Sequence, residues 1–402
     1  MKVVQINTFS YKATGSIMFS IHWELQRQGH DSYVVWGRGR DASNDHEIKM
    51  TDDPDVITHG IYSRLTDRTG FASLRATKQL IRRLEIIGPD IIHLHNLHGY
   101  YINIELLFDY IKRKNIKVVW TLHDCWSFTG HCAYFDMAGC GKWKTGCEKC
   151  TNLNTYPASW GIDASGRNWL DKQRLFQGLN ITLAVPCRWL MGKVKQSFLK
   201  EYPVQVIYNG VDTEAFRPLQ SGFRERNGLN DEFLIMGVAS EWTERKGLQD
   251  FIKLDALLAE RESGRYRIVL AGVTKKQKRK LPDSFISLER TSGAGMLSEI
   301  YSAADVLFNP TYEDTYPTVN LEAICCGTPV ITYRTGGSPE SIDGTNGFVV
   351  EQGGFPEAAG IIEANFRRKM GLWIDRGAAV KKYGNETMQR QYLLLYEKIL
   401  SE

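Results

Sequence analysis

Short apolar runs alternate with longer amphipathic segments through most of the chain. In the first half, continuous apolar runs lie at residues 3–6, 33–36, 91–94, 118–122 and 181–185. Helical patterns separate them, for instance at 17–28 and 102–113. The second half repeats the scheme, with apolar runs at 233–238, 266–271, 306–308 and 330–333. Continuous apolar strands separated by helices are typical of a parallel sheet covered on both faces. The pattern therefore predicts an α/β protein with two Rossmann-like domains.

The two series of elements meet near residues 201–218. We accordingly predict an N-terminal domain over 1–203 and a C-terminal domain over 204–383. Beyond about residue 355 the pattern is helical to the end of the chain, with a last helix predicted over 382–400. No internal repeat or low-complexity segment interrupts this organisation.

Composition fits a globular protein of two or three domains. The 402 residues are 43% hydrophobic and contain no run of about twenty apolar residues, so we expect no membrane-spanning helix. The N-terminal residues read as a strand, which differs from a signal peptide. Eight cysteines without an export signal predict reduced thiols and a cytoplasmic protein.

The net charge of +4 conceals an asymmetry between the two halves. Residues 1–200 carry 26 Lys/Arg against 18 Asp/Glu, a balance of +8, and the remainder carries 24 against 28, a balance of −4. A basic helix predicted over 61–88 could rest on the anionic inner face of a membrane and meet a lipid-linked acceptor, or be a solvated face. Nucleic acid is a poorer partner, because the basic residues lack an aromatic stacking pattern or a known binding module.

The most informative segment is 309–340, which reads as a strand end, a polar loop, a helix, a second strand and a paired-glycine turn. Pro317 suits the start of the helix, so the backbone N–H groups of Thr318 and Val319 would form an anion site at its positive end. Glu322, one turn later, could accept hydrogen bonds from the paired hydroxyls of a ribose.

The paired-glycine turn follows the second of these strands. Gly336 and Gly337 would let the backbone approach a ligand closely, and the loop to Glu340 would help to enclose its phosphates or ribose.

These residues resemble the donor-binding half of retaining GT-B glycosyltransferases of family 4 type. The resemblance rests on a carboxylate, Asp314, followed after seven residues by Glu322, then by CGTPV at 326–330 and GGSPE at 336–340. The motif NGVD at 209–212 and the Arg-Lys-Gly triplet at 245–247 match the family as well. The resemblance implies a GT-B fold with two parallel sheets facing an interdomain cleft and a C-terminal helix, about 384–402, that packs back on the N-terminal domain.

The resemblance also implies a donor site for a UDP- or GDP-sugar, in which Lys246, with Arg245 behind it, neutralises the diphosphate. Two positions depart from the family pattern. Glu241 stands where relatives commonly place a phosphate-binding arginine, so either Arg245 makes that contact or the phosphate is held more weakly. Asp314 stands where relatives have a glutamate against the donor sugar. We expect Asp314 to bind a sugar hydroxyl and not to act as a nucleophile.

In the N-terminal half, Gly15 follows the first strand and opens a helix, where it would bring backbone N–H groups towards phosphate and acceptor. Only one of the three glycines of a dinucleotide fingerprint is present, which weakens a nicotinamide-dependent interpretation. Polar residues follow two later strands, those predicted at 91–94 and 118–122. His123 matches the family's His-Asp position near the donor sugar, and His95, Asn96 and Asp124 are candidates for acceptor contacts, although strand-end histidines are also often structural.

The implied reaction is retaining sugar transfer, by double displacement through a carboxylate or by same-face attack. Double displacement needs a strong nucleophile, and Asp124 is the only plausible one. We therefore favour same-face attack. Catalysis in GT-B relatives needs no metal, and no Asp-x-Asp pair occurs at a strand end. We therefore expect no catalytic cofactor and assign catalysis to His123, Lys246, Asp314 and Glu322. A degenerate nucleotide-sugar-binding protein and a GT-B epimerase remain as alternatives.

A cysteine-rich insert at 125–150 is the least expected feature. Its last four cysteines end in a C-x-x-C pair, and four thiolates in a short glycine-rich loop suit a structural zinc ion. The predicted ligands are Cys132, Cys140, Cys147 and Cys150, with His131 as a substitute ligand. Disulfides and free thiols are the alternatives.

Overall fold

The computed structural model describes residues 1–262, 265–289, 291, 293–366, 372 and 374–402. They form two compact units, one of 1–208 with 389–402 and the other of 209–388. We expect the base of the nucleotide to be recognised by the end of the strand predicted over 284–288 and by residues 289–291, and Arg290 of this segment lies outside the described residues. Within the described ranges, no helix has both the length and the apolar composition needed to cross a bilayer.

The first unit contains a seven-stranded parallel sheet. Its strands are β1 (Lys2–Phe9), β2 (Asp31–Arg38), β3 (Glu47–Lys49), β4 (Ile91–Leu94), β5 (Lys117–Thr121), β6 (Ile181–Val185) and β7 (Val204–Val206). The helices between them are α1 (Lys12–Arg27), α2 (Asp53–Thr66), α3 (Leu74–Ile87), α4 (Ile104–Lys114), α5 (Ser165–Phe176) and α6 (Arg188–Val194). The strand order is β3-β2-β1-β4-β5-β6-β7. The direction of winding therefore reverses between β1 and β4, where open α/β sheets bind ligands.

The second unit repeats this architecture with six strands. They are β8 (Phe233–Val238), β9 (Tyr266–Ala271), β10 (Ile286–Leu288), β11 (Val306–Asn309), β12 (Val330–Tyr333) and β13 (Gly347–Val350). The helices are α7 (Phe223–Arg226), α8 (Leu248–Glu262), α9 (Lys275–Lys278), α10 (Ala294–Ala303), α11 (Thr318–Cys325), α12 (Phe355–Asn365) and α13 (Arg376–Tyr383). The order β10-β9-β8-β11-β12-β13 places the reversal between β8 and β11.

The last helix, α14 (Asn385–Ser401), begins in the second unit and ends in the first. Two of its buried tyrosines reach the sheet of the first unit. The hydroxyl of Tyr392 lies 2.8 Å from Oγ1 of Thr121, and the hydroxyl of Tyr396 lies 2.6 Å from Nδ1 of His93. These contacts hold α14 against strands β4 and β5.

The apolar pattern located the central strands well, and it was wrong about two helices. The helix predicted over 61–88 is divided into α2 and α3, because Asp67 ends α2 in a left-handed conformation with φ 55°. The helix predicted over 382–400 is divided at Gly384, whose neighbours pair with Val211: the N–H of Val211 donates to Tyr383 O, and the N–H of Asn385 donates to Val211 O. The second break involves contacts distant in sequence.

Candidate functional site

In the second unit, two predicted site residues meet at the reversal of the sheet. Lys246 follows β8 and Asp314 follows β11, and these two strands are neighbours. The Nζ atom of Lys246 lies 2.5 Å from Oδ2 of Asp314, and Oδ1 of Asp314 accepts the N–H of Thr315 at 2.9 Å. A cation and a carboxylate are thus held together where parallel sheets bind ligands.

The Lys246–Asp314 pair is largely shielded, with side-chain exposures of 20% and 13%. Burial lowers the pKa of Lys246, although the Asp314 charge opposes this shift. Burial acts to raise the pKa of Asp314, but the charges of Lys246 and Arg245 outweigh it, and the net shift is downwards. A lowered carboxyl pKa favours an ionised aspartate at neutral pH.

Arg245 ties the same two loops together. Its guanidinium donates to the carbonyl oxygen of Glu313, and its own carbonyl accepts the N–H of Tyr312 at 2.8 Å. Gly247, with φ 71°, permits a close approach, since a Cβ there would stand 2.2 Å from the carbonyl oxygen of Pro310. Glu241, which replaces an arginine of the family pattern, is exposed.

The glycine turn packs against the same loop. Gly336 has φ 52°, and a Cβ on it would lie 1.8 Å from the carbonyl oxygen of Asp314. The N–H of Gly337 donates to Thr315 O at 2.8 Å, and the N–H of Glu340 donates to Gly337 O at 3.0 Å. The structure therefore brings the predicted glycine loop beside Asp314.

The helix α11 begins as predicted. Pro317 is its N-terminal cap in an extended conformation, and Thr318 and Val319 occupy the half-buried first turn. Glu322 is bound within the second unit: Oε2 accepts the hydroxyl of Tyr301 at 2.9 Å, and Thr318 also bonds its side chain. Burial raises the pKa of Glu322. Sequence analysis gave no sign of Tyr301, which lies 21 residues away.

In the first unit, Gly15 lies where α1 passes close to the end of β1. A Cβ at this position would stand 2.7 Å from the carbonyl carbon of Ser10 and 2.9 Å from the carbonyl oxygen of Phe9. Only glycine fits this approach without displacing the backbone.

A row of buried histidines follows the neighbouring strands. Nδ1 of His95 lies 3.0 Å from Nε2 of His123, and Nε2 of His95 lies 3.2 Å from Oε1 of Gln5. The ring centroids of His93 and His95 are 4.1 Å apart, because alternate residues of a strand face the same side. Burial lowers the pKa of His123 to about 4 and that of His95 well below its usual value. His95 supports His123, and a direct contact between His95 and an acceptor stays a prediction.

Asp124 belongs to a pair that sequence analysis missed. Its Oδ2 lies 2.7 Å from Nε2 of His98, and its Oδ1 accepts the N–H of Trp126 at 2.9 Å. Burial acts to raise the pKa of Asp124, but the charge and hydrogen bond of His98 outweigh it and lower the pKa. The only signal for His98 was its place in the run HLHNLH at 93–98. The nearby Asn96 uses its carbonyl oxygen to accept the hydroxyl of Tyr101 at 2.8 Å.

The predicted zinc ligands lie around one small cavity. It is lined by Cys132, Cys140, Cys147 and Cys150, together with His131. All four are free thiols, without disulfides. As the side chains of the described residues stand, no group of three or more His, Cys, Asp or Glu is arranged to hold a metal ion. The zinc site therefore stays a prediction.

Two family models match the chain. Residues 15–215, half of it, match the model described as glycosyltransferase family 4, and 220–363 match glycosyl transferases group 1. The chain belongs to glycosyltransferase family 4. Its fold of two parallel sheets with covering helices is the GT-B fold, as the sequence predicted. This family 4 protein is thus a glycosyltransferase.

Relatives and solved structures extend the comparison. The protein is 26% identical to WcaC of Escherichia coli K12, a glycosyl transferase that its name assigns provisionally to colanic acid biosynthesis, over 99% of this chain and all of WcaC. It is 30% identical to D-inositol 3-phosphate glycosyltransferase of Streptomyces scabiei over 44% of this chain and 43% of the relative.

Among solved structures, sucrose-phosphate synthase of Thermosynechococcus elongatus has a TM-score of 0.72 at 14% identity, covering 100% of this chain and 99% of that one. Anabaena HepE in complex with UDP-glucose has a TM-score of 0.67 at 14% identity, covering 99% of this chain and 100% of HepE. At these identities the likeness concerns the fold alone.

Proposed function

We propose that this family 4 glycosyltransferase transfers a sugar from a nucleoside diphosphate sugar to a saccharide acceptor and retains the anomeric configuration. The observation that carries the proposal is the contact between Lys246 and Asp314 at the reversal of the second sheet. It sets a phosphate-binding cation beside a sugar-binding carboxylate. The HepE structures, which contain UDP and UDP-glucose in the same fold, support a uridine donor.

The donor diphosphate is bound by charges and N–H groups of the second unit. It carries about two negative charges, and one more develops on the leaving phosphate, whereas a helix end supplies only about half a charge. Lys246 and Arg245 supply the remaining positive charge, and the first turn of α11 at Thr318 and Val319 supplies N–H donors. The Gly336–Gly337 turn encloses the phosphates, and Glu340 closes that loop.

The ribose and the sugar are held by carboxylates. Glu322 accepts hydrogen bonds from the ribose hydroxyls, which share or replace the contacts that its side chain makes with the hydroxyl of Tyr301 and with Thr318. Asp314 accepts a hydroxyl of the transferred sugar. Lys246 then exchanges part of its contact with Asp314 for the donor phosphate, which is more highly charged.

Transfer proceeds by same-face attack. The bond between the anomeric carbon and the leaving phosphate oxygen breaks, the acceptor oxygen bonds to that carbon on the same face, and the acceptor proton passes to the leaving phosphate. Asp124 is a poor nucleophile, because His98 and the N–H of Trp126 occupy both of its oxygens. Electrostatic stabilisation of the leaving diphosphate carries most of the rate enhancement. Because Lys246 and Arg245 supply this charge, no catalytic divalent metal is required.

The first unit contributes His123 to the transferred sugar and the region of Asn96 to the acceptor. The neutral ring of His123 offers hydrogen bonds without a charge at physiological pH, because burial lowers its pKa to about 4. The relationship to WcaC supports a saccharide acceptor in surface polysaccharide synthesis, and we extend this to a lipid-linked saccharide.

A lipid-linked acceptor requires contact with a membrane, and the first unit has a suitable surface. Exposed apolar side chains lie on α2 and the loop before α5: Ile57, Ile61, Leu65, Trp160 and Ile162. The Arg64 guanidinium lies 5.8 Å from the Trp160 ring centroid. Exposed apolar side chains beside an arginine, together with the exposed Arg75, Lys78, Arg82 and Arg83 of α3, suit peripheral binding to an anionic surface, here the inner face of the cell membrane.

Vesicle flotation with anionic and neutral lipids tests this surface. The Ile61→Ser/Leu65→Ser variant should lose binding to anionic vesicles, whereas Leu394→Ser, an exposed leucine on α14, should retain it. Equal binding by both variants would contradict the membrane role and leave the transfer reaction unaffected.

The transfer reaction is tested with a panel of UDP- and GDP-sugars. Thermal stabilisation identifies the donor, and NMR of the product then reports the anomeric configuration. We expect retention, with a rate that does not increase when Mg²⁺ or Mn²⁺ is added. Inversion would contradict the mechanism, and donor binding without hydrolysis or transfer would favour a degenerate binding protein.

A further inference from the structure

His131 has an unusual set of partners inside the cysteine-rich insert. Its side chain is buried, and Nδ1 lies 2.5 Å from Oδ1 of Asp67, which is also buried. The other carboxylate oxygen of Asp67 accepts the N–H of Ala164 at 2.9 Å. Because an ionised carboxylate only accepts hydrogen bonds, Nδ1 of His131 carries the proton.

The second ring nitrogen of His131 is then left as a buried acceptor. Among the residues that the structure describes, Nε2 has no hydrogen-bond partner. Burying a polar atom without a partner is unfavourable. Histidines that bind a metal ion through one nitrogen almost always donate the N–H of the other to a carboxylate, a backbone carbonyl or water, and His131 already has the carboxylate.

The cavity beside this ring is lined by sulfur atoms. His131 shares it with Cys132, Cys140, Cys147 and Cys150, and its volume of about 20 Å³ is enough for a single ion or water. N–H groups already point at two of the sulfurs: Gly130 donates to Sγ of Cys147 at 3.2 Å, and the backbone of Asn152 bonds Cys150. Such donors stabilise the thiolate form of cysteine.

Local packing fixes the position of the ring and of one sulfur. A Cβ on Gly130, the residue before His131, would lie 2.7 Å from Cβ of Cys147 and 2.1 Å from the carbonyl oxygen of Ser165. This glycine therefore allows the His131 backbone and Cys147 to approach each other. The insert also contains the buried Trp143, whose ring stacks on Phe135 with centroids 4.8 Å apart.

A buried lysine lies beside the cavity. The buried ammonium of Lys172 is electrostatically coupled to Cys147, and it donates to the carbonyl oxygens of Trp126 and Thr129 at 2.7 and 3.0 Å. Three thiolates and one zinc ion carry a net charge of −1, which Lys172 can balance.

We propose that this cavity binds one Zn²⁺ through Nε2 of His131 and the thiolates of Cys140, Cys147 and Cys150. Tetrahedral zinc takes four such ligands, at about 2.0–2.1 Å for nitrogen and about 2.3 Å for sulfur. Cys132 also lines the cavity, but tetrahedral zinc takes four ligands, and we place the partnerless Nε2 of His131 among them in preference to Cys132. Binding requires rotation of cysteine side chains into the cavity, because the present rotamers gather no three donors.

The metal would have a structural role. The insert directly follows β5 and begins at Cys125, beside His123 and Asp124. Zinc bound within the insert would join the loop after β5 to the end of α2 through Asp67. It would thereby hold His123 and Asp124 in place. No step of sugar transfer passes through this metal.

Metal content of the purified full-length protein tests the proposal. We expect about one zinc per chain, which His131→Ala should lose and Cys132→Ser should retain. Cys187→Ser serves as the matched control, because Sγ of Cys187 caps α6 by accepting the N–H of Leu190, and serine caps a helix equally well. Less than a tenth of an equivalent in the wild-type protein, or two disulfides in its place, would overturn the proposal.

Cobalt substitution in the unaltered protein tests the ligand set without any variant. The intensity of the thiolate-to-cobalt absorption should correspond to three sulfurs, and His131→Cys should bind cobalt with the intensity of four. Four sulfurs in the wild-type protein, or loss of zinc in Cys132→Ser with retention in His131→Ala, would overturn the role of His131.

Discussion

The ammonium of Lys246 and the carboxylate of Asp314 lie 2.5 Å apart, although 68 residues separate them in the chain. Each follows one of the two strands between which the second sheet reverses its winding. The aspartate is one methylene shorter than the glutamate of the family pattern, and in this position it reaches the lysine. We propose that the pair holds Lys246 in place before the donor arrives.

Removal of the cation should impair catalysis more than folding. Lys246→Ala should lower turnover at least tenfold, about 1.4 kcal/mol, because the charge of the leaving diphosphate loses its main partner. Steady-state kinetics with the donor measure the effect, and a melting curve confirms folding. Lys276→Ala, at an exposed lysine of α9, is the control. Unchanged turnover in Lys246→Ala would remove this lysine from the site.

The carboxylate of the pair should distinguish a nucleotide sugar from a nucleotide. Asp314→Asn should weaken binding of the donor sugar nucleotide about tenfold and change the affinity for the free nucleoside diphosphate little, because we propose that Asp314 contacts the sugar. Lys246→Ala should weaken both. Calorimetry with UDP and UDP-sugar measures the two affinities. Equal losses for both ligands in Asp314→Asn would show that Asp314 acts only through Lys246.

Glu322 should be required for the ribose. A hydrogen bond to a charged acceptor is worth about 1.5–3 kcal/mol, so Glu322→Gln should weaken nucleotide binding by about ten- to hundredfold. Tyr301→Phe removes the hydroxyl bound to Oε2 and leaves the carboxylate. It therefore measures how much nucleotide binding depends on the position of the Glu322 side chain. The 2′,3′-dideoxynucleotide, which lacks both ribose hydroxyls, should bind wild-type and Glu322→Gln proteins with similar affinity. A persistent difference would argue against ribose contact.

Replacing either of two helical glycines of the first unit by alanine should change the free energy of unfolding, in opposite directions for the two. Gly15→Ala should lower the free energy of unfolding by about 1–3 kcal/mol, because its Cβ would stand 2.7 Å from a backbone carbon. Gly192→Ala, in α6, should raise it by about 0.5–1 kcal/mol, since nothing lies within 4 Å of the added carbon. Urea unfolding measures both. If Gly192→Ala lowered the free energy of unfolding as much as Gly15→Ala, the helical position of the glycine, and not its close approach to other backbone, would be the cause.

Acid should destabilise the first unit through its buried histidines. Burial lowers the pKa of His59 to about 4, and its Nε2 accepts the N–H of Gly70 at 3.2 Å, so protonation there would break a hydrogen bond. Between pH 6.5 and 4 the unfolded chain binds a proton that the folded chain excludes. Stability therefore falls as the pH falls through this window, by about 2 kcal/mol for this histidine at pH 5.

Unfolding at pH 7 and pH 5 checks this effect. His59→Gln keeps an acceptor for Gly70 and removes the titration, so its stability should change less between the two pH values. His30→Gln, at a partly exposed histidine, should behave like the wild-type protein. Equal losses in all three proteins would exclude His59 as a source of the pH dependence.

The sequence alone predicted the central strands and the start of α11. Strands at 91–94, 181–185, 233–238, 266–271 and 330–333 have the predicted bounds. A strand covered on both faces must be apolar throughout, and the residues of the strand itself show this in the sequence. Pro317 likewise marks the helix start by its own geometry. The short edge strand β3 has only three residues and carries no such pattern.

The tertiary structure decided which side chains meet. Sequence analysis chose Lys246 and Asp314 by resemblance, but their contact depends on β8 and β11 becoming neighbours in the sheet. The carboxylate of Asp67, at the end of α2, likewise meets His131, 64 residues away. A local pattern records burial and backbone preference at each position, because these act within a few residues. Partners distant in sequence are set by strand order and packing, which only the folded chain contains.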